Sequence, residues 1–171
     1  MSEKVDTNRA GKDATAEVER LNRYLASTDD DCELCNAPGG DLLWEDGLCR
    51  VVLVADADYP GFCRVILQKH VREMTDLDNV DRMRLMQVVF AVEQAIRELC
   101  QPDKINLASF GNMLPHVHWH VIPRWRDDRH FPQPVWGTPQ RLGNPDRPVV
   151  TVRALADTIA RAITARDTRP S

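Results

Sequence analysis

Between residues 40 and 125 the apolar positions follow two different periods. Leu42-Leu43-Trp44-Glu45 and Cys49 to Val54 flank a turn at Asp46-Gly47, which predicts a hairpin of two short strands. A loop from Asp56 to Gly61, carrying Pro60-Gly61, leads into a third strand over Phe62 to Leu67. The period then lengthens. From about Asp78 to Cys100 apolar residues return every three or four positions, predicting a long helix with Val80, Met83, Met86, Val89, Phe90, Ile96 and Leu99 on one face. Thr75 or Asp76 stands where a cap belongs, and Pro102 stops the helix. Ile105 to Phe110 and Val117 to Ile122 read as two more strands joined at Gly111-Asn112, with Pro115 at the edge of that turn. A proline-rich, tryptophan-bearing loop covers 123–148, and Val149 to Ala165 predicts a closing helix. Near the start, Val18, Leu21 and Leu25 make one stripe of a short helix ended by the solvated run Ser27 to Asp31. Residues 1 to about 13 read as a disordered tail.

Strands grouped around one long helix, with a second helix at the end, predict an α+β fold with helices on one face of an antiparallel sheet. The boundaries are 1–26 for a tail and short helix and 27–171 for the main domain. At 43% apolar residues the chain can bury one core, and the formal net charge of −4 with no basic run argues against a nucleic-acid polymer as partner. A small nucleotide, which one or two donors can hold, stays compatible. No stretch approaches a membrane span and Met1 to Asp13 lacks a signal-peptide core, so a cytoplasmic protein is expected. Five cysteines, an odd number, read as reduced thiols.

The densest chemistry lies in Pro115-His116-Val117-His118-Trp119-His120-Val121-Ile122. Side chains alternate along a strand, so His116, His118 and His120 share one face while Val117, Trp119 and Val121 face the core. Alternate positions stand about 6.5–7 Å apart, close enough for a row of imidazoles to surround one phosphate. Three readings are open: a solvated polar face, a three-histidine zinc site with a metal-bound water, or a nucleophilic histidine assisted by its neighbours. Cys32-Glu33-Leu34-Cys35 is the second pattern. Its spacing suits a tetrahedral metal, a redox pair or two buried thiols, although the βαβ setting of a thioredoxin-like motif is absent. Cys49, Cys63 and Cys100 fall in apolar patterns and read as core.

The run His116-Val117-His118-Trp119-His120-Val121-Ile122 resembles the signature of the histidine triad family of nucleotide hydrolases and transferases. Gln68-Lys69-His70 after a valine-rich strand, and the order strands, long helix, strand, turn, triad strand, agree with it over roughly residues 32–137. The resemblance implies the histidine triad fold: an antiparallel sheet of about five strands, a long central helix and a C-terminal helix, built as a homodimer. It implies a catalytic His118 attacking the α-phosphorus of a nucleoside phosphoramidate, dinucleoside polyphosphate or related nucleotide. It gives His120 to the phosphate oxygens or leaving group, where an imidazolium would stabilise charge. Asn112 and the backbone at Gly111 stand where phosphate contacts are expected, although a plain hairpin turn is an equal reading. From certain members it also implies a structural zinc on Cys32, Cys35, His70 and His116, a closed set that leaves no position for water.

Some family features are absent. Met113 occupies a common serine or threonine position, Phe62 a common histidine position, and Val54 the place of a ribose contact that Asp56 or Asp58 would have to replace. Arg124 is expected at phosphate, and Trp136 against a base or partner subunit. Arg126 to Arg129 reads as solvated loop and His130 as surface. A zinc-hydroxide hydrolase on the triad and a non-catalytic nucleotide-binding module are the alternative readings.

Overall fold

The computed structural model describes residues 29–168 apart from Pro145 and Pro148. The expected tail and the helix on Val18, Leu21 and Leu25 lie outside them. Glu33–Asn36 forms a single helical turn, α1. Five strands follow the expected order: β1 (Asp41–Glu45), β2 (Cys49–Leu53), β3 (Cys63–Leu67), β4 (Lys104–Ser109) and β5 (His118–Arg124). The long helix α2 spans Asn79–Cys100 and the closing helix α3 spans Val152–Asp167. All strand pairs are antiparallel, in the order β1-β2-β3-β5-β4.

Alternation along the strands sorts their side chains onto two faces. Cys49, Val51, Cys63, Val65, Leu67 and Val121 enter one core with Leu85, Val88, Val92 and Ile96 of α2 and Leu155 and Ile159 of α3. Each fully buried aliphatic side chain contributes about 1.5–3 kcal/mol. The other face carries Val52, Ile66, Arg64, His118 and His120. The turn α1, through Leu34, and its cap Cys32 pack on Val52 and Ile66, with Leu114 against the same cluster. Both long helices therefore cover one side of the sheet and leave the histidines on the other.

Three expectations change in detail. Helix α2 buries Leu85, Val88, Val89, Ala91, Val92, Ala95 and Ile96, whereas Val80, Met83 and Phe90 are exposed. The stripe is rotated from the expected one because apolar residues stand on both faces of α2, and packing against the sheet and α3 covers the face of Leu85, Val88, Val92 and Ala95. The α2 cap is Asp78, whose side chain accepts from the Asp81 amide at 2.9 Å; Thr75 and Asp76 lie in a preceding 3-10 turn. Helix α3 begins at Val152 rather than Val149, because the Thr151 hydroxyl accepts from the Ala154 amide and sets the first turn. At the other end of α2, Gln101 adopts a left-handed conformation ahead of Pro102. Gly61, at φ +90°, lets the chain enter β3 against the Cys100 thiol; a Cβ there would stand 2.7 Å from its sulfur.

Candidate functional site

Two adjoining centres lie on the open face. The first gathers Cys32 and Cys35 from the ends of α1's turn, His70 from the segment after β3, and His116 from just before β5. One ligand atom from each lies within 4.8 Å of all the others. His116 Nδ1 is 3.5 Å from Cys32 Sγ and 3.4 Å from Cys35 Sγ, and His70 Nδ1 is 3.3 Å from Cys35 Sγ. A tetrahedral ion with ordinary Zn–S and Zn–N bonds separates such ligands by about 3.6 Å. The four groups are thus spaced as ligands of one ion and are compatible with zinc. His116 Nε2 donates to the Leu67 carbonyl at 2.8 Å, which turns Nδ1 toward the thiols. Burial holds His116 below the usual imidazole range, favouring the neutral form a metal needs.

The second centre is a cleft of about 360 Å³ whose floor is His118 and His120 on β5. Leu34, Met113, Leu114 and Phe110 form apolar walls, Asn112 and Trp136 border it, and Arg64 reaches in from β3. The His118 Nδ1–H donates to the His116 carbonyl at 2.6 Å, so Nε2 holds the lone pair, and among the described residues it has no hydrogen-bond partner. The Ser109 hydroxyl donates to the His118 carbonyl at 2.9 Å and fixes the backbone there. Burial and the Arg64 guanidinium hold His118 below its ordinary range. His120 stands 4.9 Å from His118, centroid to centroid, amid the rings of Phe62, Phe110 and Trp136. Burial first, then His118 and Arg64, push it down to about 3. Its surroundings thus favour the neutral ring at His120 in the free protein.

The three triad histidines are all buried, yet they divide their work. His116 precedes the strand and faces the thiols; only His118 and His120 meet the cleft. Among the described residues no cluster of three metal-ligating groups includes His118 or His120. Gly111 borders a neighbouring hollow beside Trp119 rather than the cleft. Arg124, expected at phosphate, is only 2% exposed and fully engaged: it donates to Asp128 at 2.7 and 3.1 Å, to Asn106 at 2.6 Å and to the Gln133 carbonyl at 2.7 Å. Its partner Asp128, read as solvated, is buried and also accepts from the amides of Trp125, His130 and Phe131. His130, read as surface, has its Nδ1 2.6 Å from the Tyr59 hydroxyl. This knot fixes the loop that carries Trp136. Asp56 and Asp58 serve their own loop, with Asp58 paired to Arg129 at 3.0 Å, and neither lines the cleft.

Burial raises the remaining thiols, Cys49 to about 12 and Cys100 to about 11, and Cys63 higher still. They are inert core, as expected. Two residues with a direct part in the site were not singled out in the sequence. Arg64 had a signal available, an arginine at an inward-alternating position of an otherwise apolar strand. Ser109 had none.

The chain belongs to the HIT domain family, whose model matches residues 39–127. A histidine triad protein from Bradyrhizobium japonicum is 30% identical, with a TM-score of 0.57 over 72% of this chain and 91% of that one. A Zn-bound histidine triad family protein from Mycobacterium smegmatis shares the fold at 21% identity and a TM-score of 0.52, over 82% of this chain and 99% of that one. The AP-4-A phosphorylase of Mycobacterium tuberculosis strain H37Rv is 28% identical over 101 residues, which are 54% of this chain and 52% of its own length. The chain thus spans about half the length of the curated relatives it matches.

Proposed function

We propose that the protein is a nucleotide hydrolase or transferase acting at the α-phosphorus of a nucleoside phosphoramidate, dinucleoside polyphosphate or related nucleotide. The observation that carries the reading is the hydrogen bond from His118 Nδ1 to the His116 carbonyl, which leaves Nε2 as a lone pair in the cleft. A neutral imidazole held in that tautomer is a nucleophile near pH 7. His118 Nε2 attacks phosphorus, the bond to the leaving group breaks, and a nucleotidyl-histidine forms. The leaving group departs with its electron pair and takes a proton from water or from His120 once substrate charge has protonated that ring. Water, or another acceptor, then attacks the same phosphorus, releases the nucleotide and restores His118. Asn112 and Trp136, at the cleft border, are the proposed contacts to phosphate and base.

Cys32, Cys35, His70 and His116 are the proposed ligands of a structural zinc. Its part in this reading is to hold His116, whose carbonyl in turn sets the His118 tautomer. A reducing, cytoplasmic setting suits thiolate ligands. The name of the relative in M. tuberculosis, an AP-4-A phosphorylase, supports nucleotide processing broadly rather than one substrate.

Mixing the protein with an adenosine or guanosine phosphoramidate and quenching in alkali yields a nucleotide adduct on the His118 peptide, read by mass spectrometry and lost on acid treatment. His118→Ala abolishes the adduct and lowers turnover by at least about a thousandfold. Undiminished turnover in that variant excludes the nucleophile.

A further inference from the structure

Arg64 stands apart from the other buried arginines of the sheet. Arg50 spends its guanidinium on the carbonyls of Leu34, Ala37 and Pro38 and on Gln68. Arg124 is equally committed. Among the described residues Arg64 has no carboxylate within ion-pair distance. Among the described residues its buried Nε has no partner, and its one hydrogen bond is a long 3.4 Å contact from Nη1 to the Gly39 carbonyl. A partly buried cation with unspent donors is costly unless an anion meets it.

Its place says which anion. Arg64 pairs across the sheet with Val52 on one side and His120 on the other, so alternation directs it to the cleft face. Among the described residues lining the cleft it is the only arginine, lysine or carboxylate. The loop opposite offers little: Met113, where a hydroxyl contact is expected, is apolar and 82% exposed. A fixed guanidinium therefore supplies what the loop lacks.

We propose that Arg64 binds a phosphate beyond the reacting one, making the cleft selective for nucleotides with a phosphoanhydride-linked chain over nucleoside phosphoramidates. A phosphoramidate places one negative charge at phosphorus, and a polyphosphate leaving group adds more. The guanidinium fork fits those added oxygens in a two-point contact. This inference rests on the proposed function for its reaction but not for its binding.

The test is the ratio of kcat/KM for a dinucleoside tetraphosphate to that for a phosphoramidate of the same nucleoside. Arg64→Met lowers the ratio about 10- to 100-fold, the size of a lost charge-assisted contact. Arg64→Lys, which keeps the charge without the fork, gives an intermediate ratio and controls for folding. An unchanged ratio, whether both rates fall together or neither falls, overturns the inference. If the wild-type protein turns over neither compound, the hydrolase reading fails separately. Arg64 is then judged by calorimetry with a methylene-bridged dinucleoside tetraphosphate against the nucleoside monophosphate. Selective weakening of the tetraphosphate in Arg64→Met supports the site, and equal affinities in both proteins overturn it.

Discussion

At the scale of single residues, hydrogen bonds restrict which ring nitrogen of His116 and His118 carries a proton. His116 and His118 each lend one ring nitrogen to a backbone carbonyl, so each presents a defined face, one to thiols and one to the cleft. His120 has no such partner: its Nδ1 is buried and unbonded among aromatic rings. This has a consequence for acid stability. In the unfolded chain the imidazole titrates near 6.5, and in the folded one near 3, so between those values the unfolded state binds more protons. Stability from this residue is therefore present in full above pH 6.5 and is lost as pH falls toward 3. Urea unfolding midpoints measured from pH 7.5 to 4 decline more steeply in the wild-type protein than in His120→Asn. Parallel declines in the two proteins refute the buried neutral imidazole.

At the scale of elements, β5 is the organiser. Its preceding residues bring His116 to the thiols, its first residues floor the cleft, and its end delivers Arg124 to the Asp128 knot that sets the Trp136 loop. By contrast α1 is a single turn, far too short to be stable alone. It is held by Leu34 against Val52 and Ile66, by carbonyl bonds to Arg50, and by its two cysteines. A metal on those cysteines would add stability by linkage. Chelation of the purified protein, or Cys35→Ala, is expected to remove about one zinc per chain by elemental analysis and to lower Tm by several degrees. Turnover falls with it, since Leu34 walls the cleft. Full zinc content in Cys35→Ala would move the metal elsewhere.

At the scale of the whole molecule, the sheet has helices on one face, the histidine-floored cleft on the other, and β1 and β4 at its edges. Edge strands expose unpaired main-chain groups unless covered. The resemblance to histidine triad proteins leads us to propose a homodimer built by continuing the sheet. Sedimentation at micromolar concentration then gives twice the 19.4 kDa chain mass, and a monomer at that mass rejects it. Among the described residues no helix is long and apolar enough to cross a membrane.

Much of this was legible in one dimension because short-range periodicity carries it. The strands, the two long helices and the α+β class follow from period two and period 3.6, and the spacing of Cys32 and Cys35 follows from residue chemistry. Periodicity finds apolar positions but does not say which of two apolar-bearing faces a helix turns to the sheet, which is why the buried face of α2 was misplaced. Partnership across the chain was likewise out of reach. Nothing local distinguishes Arg64, whose donors are spare, from Arg124, whose donors are spent, because that depends on which groups stand within 3 Å after folding. The sequence by itself determined which residues could do chemistry. The tertiary structure alone decided which of them keep an unpaired charge or lone pair, since hydrogen bonding and burial are properties of neighbours brought together from distant positions.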